Sequence, residues 1–122
     1  MSAITLAELG WTPELADELQ SGLEPGRVTA AHRAAFDVQT ADGAVRTRLP
    51  GRLVRQLDVA VGDWVGLGDG LIRTVLPRRS AIVRNAAGRA STSQTLAANV
   101  DIALLVSSLG PDLEPRRFER YL

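Results

Sequence analysis

At 122 residues the chain has room for one ordinary domain, or for a small domain with a piece of another. It has no cysteine and one histidine, which excludes disulfides and thiolate metal sites and fits a reducing cytoplasm; no signal-peptide pattern opens it and no apolar run approaches membrane-spanning length. Its net charge of zero is a cancellation: residues 1–25 carry five carboxylates and no base, while residues 26–84 carry ten arginines against five aspartates, and every basic residue is arginine.

Residues 1–25 form an acidic, helical leader. Thr12-Pro13-Glu14-Leu15 reads as an N-cap followed by proline at the first helical position. Leu15 and Leu19, with Ala16 beside them, make one apolar stripe at helical spacing. Such a helix either caps one end of the following domain or offers an acidic surface to a partner. Ser21 to Gly26 links it onward.

Residues 26–84 read as short strands joined by tight turns. Val28, Ala30, His32, Ala34, Phe36 and Val38 recur at every second position, the period of a half-buried strand. Asp42-Gly43 is a strong hairpin signal. Beyond it Val45, Thr47 and Leu49 point one way and Arg46 and Arg48 the other. Gly51 to Leu57 is either a turn of helix or a wide loop. Val61 to Leu67 opens another strand, Asp69-Gly70 turns it, and Leu71 to Leu76 returns. Arg78 to Arg84 adds a short strand leaving this unit. About five short strands in this length of chain predict a small closed barrel of the OB-fold type over Gly26 to Leu76, with Val28, Phe36, Val38, Leu49, Val65 and Leu67 in its core.

Residues 85–95 hold no large apolar side chain and read as a linker. Val100 to Val106 is then continuously apolar, as in a strand covered on both faces within an α/β sheet. A helix follows from Pro115, with Phe118, Tyr121 and Leu122 on one face. Residues 96–122 thus read as the first βα unit of a truncated α/β domain.

Several motifs point away from catalysis. Gly66-Leu67-Gly68-Asp69-Gly70 lacks the third glycine of a dinucleotide loop and joins two strands, so it reads as a hairpin turn. A P-loop needs a lysine, and the chain has none. His32 has no second histidine or cysteine for a zinc site, and its place in the alternation puts it inside the barrel or at its mouth. No nucleophile elbow accompanies Ser80 or Ser107. No catalytic residue and no metal ligand is assigned. Trp64 either stacks on a base or packs in the core.

The arginines carry the functional signal. Arg27 and Arg33 lie on the first strand stretch, Arg46 and Arg48 on one face of the next, and Arg52 and Arg55 on the loop after it. Guanidinium groups pair bidentately with phosphate and stack on bases. These six are the candidate RNA-binding residues.

Five motifs in order carry a resemblance over essentially the whole chain: Gly26-Arg27-Val28; Val61-Gly62-Asp63-Trp64-Val65; Leu76-Pro77-Arg78-Arg79-Ser80 with Arg84; Ala97-Ala98-Asn99-Val100-Asp101; and Phe118-Glu119-Arg120-Tyr121-Leu122. With Leu9-Gly10-Trp11, they resemble the N-terminal part of the ribosome small-subunit-dependent GTPase A family, the circularly permuted GTPases of bacterial ribosome assembly. The resemblance implies an OB-fold that contacts 16S rRNA in the small (30S) subunit, ahead of a permuted GTPase domain and a zinc-binding domain. It places the P-loop, the Asn-Lys-x-Asp and Asp-x-x-Gly motifs and the zinc ligands beyond Leu122. GTP, magnesium and zinc are therefore expected only in a full-length family protein, and this chain alone is expected to be inactive. The resemblance implies a cytoplasmic protein with no membrane and no DNA partner. The competing expectation is a protein-binding β-barrel adaptor, which would bind with weak salt dependence.

Overall fold

The computed structural model describes residues 5–33, 35–54, 56–85, 93–104 and 106. It is mainly β. One short helix, α1 (Pro13–Glu18), precedes strands β1 (Glu24–Ala31), β2 (Phe36–Thr40), β3 (Gly43–Thr47), β4 (Trp64–Gly68) and β5 (Leu71–Val75). A separate two-stranded ribbon follows, β6 (Ala81–Asn85) and β7 (Ser93–Ala98).

Turn chemistry sets the strand boundaries. The alternation from Val28 to Val38 is two strands, not one: the His32 N–H donates to the Ala35 carbonyl at 2.8 Å and folds the chain back. The β1–β2 ladder also shifts register between Val28 and Ala30. This bulge inserts one residue and reverses the alternation beyond it. Val28 pairs with Val38 and Ala31 with Phe36, so Ala31, itself exposed at the strand end, shares the face of Phe36 and His32 turns to the other. His32 is accordingly exposed, not inside the barrel. Between β2 and β3, Ala41 and Asp42 form the turn and Thr40 pairs with Gly43. The Thr40 hydroxyl donates to the Gly43 carbonyl at 2.8 Å and accepts from the Asp42 N–H at 3.2 Å. Between β4 and β5, Asp69 (φ 53°) and Gly70 (φ 76°) are both left-handed, the requirement of the two-residue hairpin turn that suits twisted strands.

The five strands form an antiparallel sheet in the order β3-β2-β1-β4-β5. Three consecutive strands with the fourth returned beside the first is a Greek key, and β5 extends it by a hairpin. The sheet curls until its two edge strands approach. There the Ile72 N–H donates to the Arg48 carbonyl at 3.1 Å, and the Thr47 hydroxyl to the Gly70 carbonyl at 2.5 Å. That seam is two hydrogen bonds rather than a ladder, so the sheet does not close as the strand count predicts and is an OB-like barrel left partly open.

Inside sit Val28, Val38, Val65, Leu67 and Ile72, with Phe36, Leu49, Val59 and Val75 half-buried against them. Burying a side chain of this kind is worth about 1.5–3 kcal/mol relative to exposure. Thr47 is buried as its alternation requires, but Val45, in the middle of edge strand β3, is 44% exposed.

β4 is buried on both faces. Its inner face is core; its outer face is covered by the leader. A β-carbon at Gly66 would stand 3.0 Å from terminal methyl groups of Leu19 and Leu23, so the leader lies directly over that glycine. The Trp11 and Trp64 rings meet with centroids 4.9 Å apart. α1 has Thr12 as its N-cap, accepting from the Leu15 N–H at 3.3 Å, and Pro13 at its start. The leader thus clads the side of the barrel at β4 rather than one of its ends. Gly51 to Leu57 is a 3-10 turn (Gly51–Leu53) continued by a hydrogen bond from Leu57 N–H to the Leu53 carbonyl at 2.9 Å.

The C-terminal expectations change. The ends of the predicted linker, Asn85 and Ser93 to Thr95, are paired strand, and Leu96 belongs to β7. Residues 100–104 and 106 form no strand. Ile102, Leu104 and Val106 are 80%, 85% and 92% exposed. A strand apolar on both faces needs sheet neighbours and covering layers, and the described residues supply neither. The helix predicted from Pro115 lies outside the described residues.

Candidate nucleic-acid interface

The leader covers the barrel at β4 and leaves the outer face of β2–β3 open. Register places Asp37 of β2 directly opposite Arg46 of β3. Arg46 Nε donates to Asp37 Oδ1 at 2.9 Å, and its Nη2 reaches Oδ2 at 3.4 Å. His32, turned outward by the bulge, sets Nε2 at 2.9 Å from Asp37 Oδ2. Hydrogen bonds from Arg46 and then His32 hold the Asp37 carboxyl down at about 2, and the carboxylate in turn raises the Arg46 pKa.

The candidate arginines separate into three groups. Arg33, in the β1–β2 turn, Arg48, just past β3, and Arg52, on the 3-10 turn, are exposed. Among the described residues their side chains make no hydrogen bond or ion pair. Arg46 is exposed but ion-paired. Arg27 is removed from this set: its guanidinium points into the leader side, donating to the carbonyls of Leu9, Gly62 and Asn99 and lying 5.9 Å from the Trp64 ring centroid. A guanidinium engaged by three backbone carbonyls is a structural tie. Arg55 lies outside the described residues.

A second polar cluster joins barrel, leader and ribbon. Asp63, fully buried, takes a fork from Arg78 and a backbone bond from Ala60 N–H at 2.8 Å. Arg78 also donates to the Asp58 carbonyl at 2.6 Å. Asn99 is left-handed (φ 55°) and buried; it donates to the Gly62 carbonyl at 2.9 Å and accepts from the Arg79 N–H at 2.8 Å. Arg79 pairs with Asp101. A cleft of about 460 Å³ lies here, lined by Leu15, Glu18, Arg27, Trp64, Arg79 and Asp101 among others. Its charges are mixed in sign. Among the described residues no buried polar side-chain atom lacks a partner, so this is a satisfied junction. Trp64 is 2% exposed within it, which answers the choice between base stacking and packing in favour of packing. Gly62, Asp63, Trp64, Arg78 and Asn99 all belong to the motifs that carried the resemblance; what the sequence withheld was that they meet.

Among the described residues no group of histidine, cysteine, aspartate and glutamate side chains could hold a metal ion. No helix there is long and apolar enough to cross a membrane.

No protein-family model matches the chain. Individual proteins do. It is 40% identical to the small ribosomal subunit biogenesis GTPase RsgA of Streptomyces coelicolor, over 96% of this chain and 35% of that protein. It is 37% identical to the RsgA of Opitutus terrae, over 98% of this chain and 39% of that one. With the RsgA of Leptospira interrogans the identity is 34%, over 96% and 35% respectively. The chain therefore spans little more than a third of the length of these curated relatives. Similarity at this level along almost all of its own residues leaves one conclusion: the chain belongs to the RsgA family, corresponding to a part of its members.

Proposed function

We propose that this chain is the RNA-binding module of a protein acting in small ribosomal subunit biogenesis, with 16S rRNA as its partner. The relatives' names supply the process. The observation that carries the RNA reading is the exposure of Arg46 on the open outer face of β2–β3, with Arg33 in the β1–β2 turn, Arg48 just past β3 and Arg52 on the 3-10 turn exposed as well. OB-folds bind oligonucleotides on the face of strands 2 and 3 and on the adjoining loops. GTP hydrolysis, with GTP, magnesium and zinc, belongs in this reading to the remainder of a full-length family protein. Its setting is the cytoplasm.

The test is RNA binding across a salt series. Replacing Arg46, Arg48, Arg52 and Arg55 with alanine should weaken binding to 16S rRNA and flatten the salt slope by about one for each phosphate no longer neutralised. The fold should persist, because Arg46, Arg48 and Arg52 are exposed. Unchanged affinity and slope would reject this face. Tight, salt-insensitive capture of a protein partner without RNA binding would favour the adaptor reading instead.

A further inference from the structure

His32, Asp37 and Arg46 stand together on the open face, contributed by the β1–β2 turn, β2 and β3. Asp37 is ionised, so its oxygens only accept hydrogen bonds. The 2.9 Å contact from His32 Nε2 to Asp37 Oδ2 therefore needs the proton on Nε2. With that proton in place Nε2 has no lone pair, and the 3.4 Å approach of Arg46 Nη2 to it is a contact rather than a bond. The atom of His32 still able to gain a proton is Nδ1. Arg46 is likewise held by one edge, Nε and Nη2. Its Nη1 makes no hydrogen bond among the described residues, which leaves the terminal fork available.

We propose that these three residues form a proton-linked phosphate site, in which Asp37 holds His32 and Arg46 by one edge each and an RNA phosphate takes the other edges. This rests on the RNA reading above. With neutral imidazole the trio carries no net charge and attracts a phosphate weakly. With Nδ1 protonated it carries +1 and presents a second donor, Nδ1–H, on the ring edge turned away from Asp37. Binding of the phosphate then draws one proton from solvent onto Nδ1, and no other covalent bond changes. The charged groups facing His32 are Asp37 from β2 and Arg46 from β3, with Arg33 next to it in the turn. The site is open to water, with His32 and Arg46 side chains 43% and 65% exposed, so the effect is moderate in size.

The sign follows from linkage. If the complex raises the His32 pKa, affinity is gained below that pKa and lost as pH rises through it. His32 is the only histidine of the chain. A pH effect in the histidine range that disappears with His32 therefore has one source.

The experiment measures binding of in-vitro-transcribed 16S rRNA by the 122-residue chain and by H32Q at pH about 7.5 and about 5.5, at fixed salt. It also follows the single imidazole resonance by NMR with and without RNA. The unaltered chain should bind about three- to tenfold tighter at the lower pH, with the imidazole titrating higher in the complex. H32Q should bind no tighter at the lower pH than at the higher one, whatever its affinity there. Equal gains in both proteins, or no gain in the unaltered chain, would overturn the site while leaving the RNA reading intact. Absence of RNA binding at both pH values would overturn both. A titration shift as large with inorganic phosphate alone as with RNA would overturn the assignment to RNA phosphate.

Discussion

Arg78 forks across Asp63, with Nε donating to Oδ1 and Nη2 to Oδ2, both at 2.8 Å, and the carboxylate is fully buried. The fork raises the Arg78 pKa, first through its hydrogen bonds to Asp63. Asp63 sits at the entrance to β4, and Arg78 lies between β5 and the ribbon. The pair therefore ties the end of the barrel to the segment leading into β6.

Breaking that pair from one side should be severe. Arg78→Met leaves a buried carboxylate without its cation, a loss of about 3–5 kcal/mol. Arg78→Lys keeps the charge but not the fork and should fall between. Urea denaturation compares the three proteins. Equal midpoints for Arg78→Met and the unaltered chain would reject a structural role for the pair.

Gly62→Ala should loosen the ribbon. Gly62 has φ 96°, and a β-carbon there would run into the Ala98 carbonyl. Both the strained backbone and the clash act in the folded state, so the cost should exceed about 1 kcal/mol. Amide exchange should quicken first at Ala98, whose N–H donates to the Val61 carbonyl at 2.8 Å. Unaltered protection there would contradict the contact.

Arg27→Ala should act on stability rather than on RNA affinity. Its guanidinium ties the leader, the Gly62 turn and Asn99 together. The variant should melt earlier and expose Trp64 fluorescence to quenchers, while its folded fraction binds RNA as before. Loss of RNA affinity at unchanged melting temperature would return Arg27 to the binding face.

Acid should release the Asp37 ion pair late. A carboxyl held at about 2 contributes stability that is present above its unfolded value, near 4, and is lost as pH falls through about 2. Between those limits the melting temperature of the unaltered chain should fall more steeply than that of Asp37→Asn, which has no carboxyl to protonate. Parallel curves would mean that the ion pair is not kept in solution.

The 122-residue chain should neither bind nor hydrolyse GTP. Phosphate cradling in a P-loop uses a lysine, and guanine selection in the family uses an Asn-Lys-x-Asp motif. This chain contains no lysine. Calorimetry with GTP and magnesium should show no heat of binding, and a micromolar affinity would demand a phosphate site made of arginine and backbone.

By itself the sequence determined the strand class and most of the core, while closure of the barrel, which it also predicts, is replaced by a seam of two hydrogen bonds. Val28, Val38, Val65 and Leu67 are buried because period-two alternation and turn dipeptides are local properties, written in adjacent residues. The arginine excess was equally legible. The tertiary structure decided which arginines are free and which way the alternation runs. One bulge near Thr29 reversed the faces and brought His32 out to Asp37, and no side-chain pattern marks a bulge. Packing of the leader turned Arg27 inward, because only the folded chain brings the carbonyls of Leu9, Gly62 and Asn99 to one point. Val100 to Val106 has the composition of a central strand, but a strand exists through hydrogen bonds to neighbours, and the described part of this chain offers it none.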